Sequence, residues 1–344
     1  MKRIKWDCDG VEIQEIGDIV SRDIEVFNEI SMLHLIKFKN LRINSNSKKK
    51  QIVIKGDSFL STIHYFYHHS VIDMLGVYFL IKSYVPNLKC YFNSMYGKYP
   101  IWRKNFDDRS VESYLDYLKY NPFGRKDDLS EINFHEYTRD LVNIFSEDKN
   151  IYSTEVDNIM FENFYIISEL PTGFAETAYT STRNIKDLST FVSSICTSTQ
   201  SNKIFISRKL NNQRYSKEIS AFPTEDPQSN QRIRRFDQEH LIENYFNSIG
   251  YKSVTLEGMP MLEQFNLFYN ATHIAGLNGS AFVNLIAAKD KTNIIELNLI
   301  KDYVNKFSYK RLFEFKDFNY IEYNNVSNDI ELIINELKLI KDID

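Results

Sequence analysis

From residue 203 to residue 298 the chain alternates short apolar segments that read as strands with amphipathic segments that read as helices. Residues 203–207 alternate as a strand. Leu241, Ile242, Tyr245, Phe246 and Ile249 then recur at helical spacing across 237–249, with Gly250 where a helix C-cap belongs. A strand at 251–256, a helix at 261–270, a strand at 272–276, a helix at 281–288 and a strand at 293–298 follow. Strands separated by helices of this length imply βαβ crossovers and a parallel sheet. The C-terminal part of the chain therefore reads as α/β.

The apolar run 272–276 breaks at Asn278-Gly279-Ser280, just before the helix at 281–288. A strand turning through Gly-Ser into a helix exposes backbone N–H groups at the helix N-terminus, where the macrodipole favours an anion, most often phosphate. Such turns also occur as plain loop and cap chemistry. In parallel sheets, however, ligands collect at the carboxyl ends of the strands, where Asn278-Gly279-Ser280 falls. The local pattern and its context together predict a nucleotide-binding half-domain. No Gly-x-Gly-x-x-Gly follows any strand, which argues against a dinucleotide-dependent dehydrogenase.

Several function classes drop out on composition. A net charge of −4 argues against general binding to nucleic acid. Cys8, Cys90 and Cys196 are far apart and odd in number, so neither a disulfide framework nor a zinc spacing is present. The N-terminus lacks the apolar core of a signal peptide. The longest apolar stretch, 63–85, carries His64, His68, His69, Asp73 and Lys82, which rule it out as a membrane span. The expectation is a cytoplasmic protein without a transmembrane segment, with peripheral membrane association left open.

At 344 residues, 43% of them hydrophobic, the chain is long enough for two domains. Its 25 Phe and 22 Tyr supply core, and some Tyr suit a sugar-binding cleft. The N-terminal half reads as strands at 51–55, 89–93 and 160–167. Helices are expected at 61–84, near 110–119 and at 186–196. A polar Thr-Ser-Thr-Gln-Ser-Asn linker sets the boundary, dividing the chain into an N-terminal domain, 1–198, and a C-terminal nucleotide-binding half-domain, 199–325. In 326–344, Asn328 with Glu331 forms a capping-box pattern for a last amphipathic helix through Ile330, Ile333, Ile334, Leu337 and Ile340.

Four motifs, in this order, resemble the family-61 glycosyltransferases. They are Tyr67-His68-His69-Ser70-Val71-Ile72-Asp73; Ile206-Ser207-Arg208 followed by Arg234-Arg235 and Glu239; Glu263-Gln264; and 276–284 followed by Ile295-Glu296-Leu297. The family includes bacterial capsular polysaccharide biosynthesis proteins, plant xylosyltransferases and eukaryotic N-acetylglucosaminyltransferases. The resemblance implies the GT-B arrangement, two Rossmann-like domains facing across a cleft, with 1–198 the acceptor-side domain and 199–325 the nucleotide-sugar domain. It also implies inverting transfer from a nucleotide sugar, with a UDP-sugar expected, to a glycan acceptor. The chain departs from the family pattern in three places. Asn278 stands where the family has His, Gln238 where it has Asn, and Ser70 where it has an aromatic residue.

The chemistry of the residues agrees with that implication. A departing nucleoside diphosphate needs fixed positive charge or a metal. Arg208, Arg234, Arg235, Asn278, Gly279 and Ser280 are the candidate donor-phosphate residues, since guanidinium groups bind phosphate bidentately; a solvated basic turn is the plainer reading of the arginines. Glu263, Gln264 and Glu296 are candidate contacts to the donor sugar and ribose. His69 and Asp73, four apart on one helical face, are the candidate base and its partner, with His68 in reserve if the helix is rotated. The Asp-x-Asp sequences at 7–9 and 342–344 lie at the chain ends, and His64 with His68 lacks a third ligand. Metal-independent transfer without a cofactor is therefore expected. Two other classes stay open: a catalytically silent nucleotide- or glycan-binding protein of the same fold, and a sugar-nucleotide epimerase that would release no UDP.

Overall fold

A computed structural model describes residues 4–6, 11–13, 26–27, 33–43, 48–63, 69–94, 109–113, 128–153, 157–167, 174–208, 238–299, 309–325 and 329–340. The chain divides into two compact units, Met1–Leu188 and Ser189–Asp344.

The first unit holds a two-stranded antiparallel ribbon, β1 (Ile4–Trp6) with β2 (Val11–Ile13), and a mixed six-stranded sheet. Its strands are β3 (Val26–Phe27), β4 (Leu33–Ile43), β5 (Ile52–Thr62), β6 (Lys89–Asn93), β7 (Ile151–Tyr152) and β8 (Ile159–Ile167), in the order β3-β4-β8-β5-β6-β7. The β8, β5, β6 and β7 strands run parallel, and β4 joins β8 antiparallel. Phe38, Phe59, Phe92, Phe161 and Phe164 are fully buried, with the Phe161 and Phe164 rings 4.8 Å apart.

The β5 strand runs longer than the expected 51–55 because Gly56, at φ +80°, absorbs a bulge. Its N–H donates to Glu162 Oε2 at 2.7 Å, and the chain resumes pairing as Ser58–Thr62 against Lys89–Asn93. That ladder claims the start of the helix expected at 61–84. The helical part is instead a π-helix, His69–Leu75, running into α1 (Gly76–Tyr84), which buries Gly76 to Ile81 without a break. Helices α2 (Asp128–Phe145) and α3 (Phe174–Ile195) complete the described helices up to the second unit. Residues 111–113 are helical, and the rest of the helix expected near 110–119 lies outside the described residues.

The second unit is a five-stranded, wholly parallel sheet: β9 (Asn202–Ile206), β10 (Lys252–Val254), β11 (Ala271–Leu277), β12 (Asn293–Asn298) and β13 (Asn319–Asn324), in the order β10-β9-β11-β12-β13. Helices α4 (Glu239–Ser248), α5 (Met261–Tyr269), α6 (Tyr309–Leu312) and α7 (Ile330–Leu337) connect and cover it. One face packs Phe205, Ala275, Leu277, Ile295 and Leu297 against Ile242 and Phe246 of α4 and Ile333 and Leu337 of α7. Gly250 follows α4 at φ +91°, as its reading as a cap requires.

Two local expectations are corrected. The cap of α7 is Asp329, whose Oδ1 accepts from the N–H groups of Glu331 at 3.0 Å and Leu332 at 3.2 Å. Asn328 lies outside the described residues. The helix expected at 281–288 is a 3₁₀ helix, Ser280–Ile286. Asn284 explains the change: its Nδ2 donates to the Ala281 carbonyl at 3.1 Å, an acceptor that an α-helix would offer to the N–H of residue 285. Bonds of the shorter 3₁₀ type result, from Phe282 to Gly279 and from Ala287 to Asn284, both 2.9 Å.

Candidate functional site

Counted from the first strand of the second unit, its sheet has the order 2-1-3-4-5. That is a doubly wound order, and its switch point lies between β9 and β11, where successive connections leave in opposite directions. In open sheets of this order ligands bind outside the carboxyl ends of the strands at that point. The two strands approach closely there: a Cβ on Gly276 would lie 3.0 Å from Ile206 Cβ and 3.2 Å from the Ile206 carbonyl oxygen. A side chain at 276 would therefore need Ile206 to shift by a few tenths of an ångström, so glycine fits this close approach best.

Arg208, two residues beyond β9, spans this gap. Its backbone N–H donates to Glu239 Oε1 at 2.8 Å, anchoring it to the start of α4. Its Nη2 donates to the carbonyl oxygens of Leu277, at 2.9 Å, and Asn278. Ser207 reinforces the anchor through its hydroxyl, which donates to Glu243 Oε2 at 3.1 Å. The guanidinium is therefore fixed against the end of β11 by side chains and backbone that the sheet itself positions. A pre-oriented cation of this kind costs no reorganisation when negative charge arrives.

Asn278 is tied in turn. Its N–H donates to the Leu297 carbonyl at 3.0 Å, and its Nδ2 donates to Glu296 Oε1. Glu296 is fully buried on β12; its Oε2 accepts from the Tyr320 hydroxyl of β13 at 2.5 Å, and the Tyr309 backbone N–H also donates to the carboxylate. Burial pushes this carboxyl up to about 7, against the opposing hydrogen bonds from Tyr320, Asn278 and Tyr309, and the nearby Glu322 charge raises it further. Burial also holds the Tyr320 hydroxyl well above its ordinary value.

The remaining expected site residues fall as follows. Gly279 is buried in an extended conformation, and Ser280 is exposed at the head of the 3₁₀ helix. Gln264 is engaged internally: its Nε2 donates to the Met259 carbonyl at 2.7 Å, and its Oε1 accepts from Asn284 Nδ2 at 3.0 Å, clamping α5 to the 3₁₀ helix. Glu263 is exposed in the first turn of α5. The backbone of His69 and Asp73 lies in the π-helix, a geometry often found at functional sites, while their side chains lie outside the described ones. Arg234, Arg235, His64, His68 and both Asp-x-Asp sequences also lie outside the described residues.

Sequence reasoning misses three residues here: Tyr309, Tyr320 and Asn298. Alternation along β12 puts Glu296 and Asn298 on the face opposite Ile295 and Leu297, which is the available signal. Asn298 is 1% exposed, and neither of its amide atoms has a hydrogen-bond partner among the described residues. An orphaned buried amide costs on the order of 1–3 kcal/mol. Asn298→Leu is expected to raise stability by about 1 kcal/mol, read as a higher melting temperature in thermal denaturation.

No helix among the described residues is long and apolar enough to cross a membrane. No curated protein matches the chain. The family model described as Glycosyltransferase 61 matches residues 67–295, well over half of the sequence, from the segment preceding the π-helix to Ile295 in β12. The family's signature across that span makes this protein a member of the glycosyltransferase 61 family.

Proposed function

We propose that this glycosyltransferase moves a sugar from a UDP-sugar to a glycan acceptor, with inversion and without a metal. The observation that carries the reading is Arg208, held across the switch point by Glu239 and by the carbonyls of Leu277 and Asn278. Its guanidinium stabilises the diphosphate as it leaves, and the Gly279 and Ser280 amides, Arg234 and Arg235 are the further donors of this reading. The acceptor hydroxyl attacks the anomeric carbon from the face opposite UDP. As that C–O bond forms, the bond from the anomeric carbon to the β-phosphate oxygen breaks. His69 takes the hydroxyl proton, and Asp73 one turn later stabilises the resulting imidazolium. The reading adopts the GT-B arrangement that the family implies, with the donor on the C-terminal unit and the acceptor on the N-terminal one, and a cytoplasmic site of action.

A catalytically silent binding protein is the second reading. It is favoured by Asn278, which replaces the family's His and gives its amide to Glu296. Thermal denaturation with UDP, GDP, CDP and ADP, each in Mg²⁺ or EDTA, tests both readings. Ligand at about 100 times its Kd stabilises the folded state by about 2.7 kcal/mol. A UDP-selective rise that survives EDTA is the expected result, and no rise with any nucleotide overturns the donor site. Release of UDP from a UDP-sugar in the presence of acceptor then separates turnover from silent binding.

A further inference from the structure

Three donors from three separate elements converge on the Glu296 carboxylate: the Asn278 amide beyond β11, the Tyr320 hydroxyl of β13 and the Tyr309 N–H of α6. The carboxylate is completely buried, so its oxygens are occupied from within the protein. Burying a carboxylate is unfavourable even when it is well hydrogen-bonded, and a purely structural tie between strands needs no charge. A glutamine would bridge the same elements at lower cost. The charge therefore calls for a role beyond holding the sheet together.

Resting on the donor-site reading above, we propose that Glu296 is a positioning residue for the donor. Through Asn278 it sets the carbonyl pair that orients the Arg208 guanidinium, and so couples its own ionisation to donor affinity. The path is short: Glu296 accepts from Asn278 Nδ2, and Arg208 Nη2 donates to the Asn278 and Leu277 carbonyls.

The direction of the coupling follows from the groups that face the carboxyl. These are Tyr320 and Glu322 of β13, Tyr309 of α6, and Asn278 with Arg208 bonded behind it. Above about pH 7 the carboxylate is ionised and accepts all three hydrogen bonds as charge-assisted ones. Below that pH it carries a proton. The Tyr320 hydroxyl can reverse and accept, whereas the Asn278 Nδ2 and the Tyr309 N–H that face the carboxyl can only donate. Asn278 is then held by a neutral bond, and the support of Arg208 slackens.

Stability moves the other way. The folded-state pKa is raised from 4.5 to about 7, so this group's contribution to folding is full below 4.5 and is lost as pH rises through 7. Ionisation that favours the donor thus disfavours the fold, an opposition expected at a functional residue.

The test measures UDP affinity by calorimetric titration for wild type, Glu296→Gln and Tyr320→Phe across neutral pH. The terminal phosphate of UDP itself titrates near neutrality, so the quantity read is the ratio of wild-type to variant affinity at each pH. The ratio to Glu296→Gln is expected to grow about tenfold between about pH 6 and about pH 8. Over the same range wild-type stability falls while that of Glu296→Gln stays flat. Tyr320→Phe removes one donor and is expected to move the midpoint of the wild-type profile upward. A ratio that stays constant with pH, or a midpoint unmoved in Tyr320→Phe, overturns the role of Glu296 while leaving the donor site intact. Absence of UDP binding by wild type at every pH overturns both. Should Glu296→Gln fail to fold, the Tyr320→Phe midpoint decides.

Discussion

Arg208→Ala is expected to lower kcat/KM for sugar transfer by about 10²–10³-fold, equivalent to about 3–4 kcal/mol of transition-state stabilisation. The size follows from timing: charge on the diphosphate oxygens grows as the glycosidic bond breaks, so a fixed guanidinium contributes most in the transition state. The loss should therefore appear in kcat as well as in KM. Arg208→Lys keeps the charge but cannot hold the Leu277 and Asn278 carbonyls while meeting a phosphate with a planar fork, and it should recover little activity. Arg208→Ala also removes hydrogen bonds to those two carbonyls, which carries a stability cost on the order of 1–3 kcal/mol. Steady-state kinetics combined with a melting curve separates the effects. A variant that melts near the wild type and retains wild-type kcat would remove Arg208 from the chemistry.

Much of the C-terminal unit is legible in the amino-acid pattern. The strand expected at 293–298 is observed as Asn293–Asn298, and in the first unit that expected at 89–93 is observed as Lys89–Asn93. These segments are short, apolar and flanked by turn residues, so local pattern and tertiary environment agree. Agreement ends where tertiary pairing decides. Among the described strands Asn319–Asn324 pairs with β12 alone, on the outside of the sheet, and its half-buried Tyr-Ile-Glu-Tyr run has neither clean alternation nor a continuous apolar stretch. Among the described side chains of Leu33–Ile43, those of 37–43, the buried positions are Phe38, Leu41 and Ile43, and Asn40 at φ 52° breaks the period between the first two. Alternation cannot find that strand.

The candidate site divides along the same line. Arg208, Asn278 and Glu296 each lie at or near a strand end, so strand reading alone brings them to one edge of the sheet. Their bonding cannot be read in this way. Asn278 reads as a ligand contact, yet its amide is held by Glu296; Gln264 reads as a sugar contact, yet its amide clamps two helices together. Amide side chains serve either purpose with the same atoms, and only the three-dimensional neighbours choose between them. Glu296 depends on Tyr320 and Tyr309, both in segments that the sequence pattern leaves unassigned, which is why the pattern does not reveal its environment.

Phe246→Ala should destabilise the second unit by about 3–5 kcal/mol, the largest loss expected from a residue outside the site. Its fully buried ring stacks on Phe205 at 5.1 Å and meets Tyr251 edge-on at 4.9 Å and Tyr245 at 5.4 Å. Removing it empties the centre of an aromatic cluster whose other rings are fixed by β9, by α4 and by the turn leading into β10, so the cavity can collapse only in part. The melting temperature of the unit should drop by roughly ten degrees. Only unfolding of α4 would carry the loss to the site, because Glu239 at the start of that helix accepts the Arg208 N–H. At temperatures where the variant stays folded, UDP affinity should remain close to that of the wild type, and saturating UDP should restore part of the lost melting temperature. Arg208→Ala predicts the reverse pattern, with a modest change in melting and no rescue by UDP. The two variants measured side by side distinguish a residue that builds the unit from one that uses it. Equal loss of UDP affinity in both, at matched fractions folded, would contradict that division.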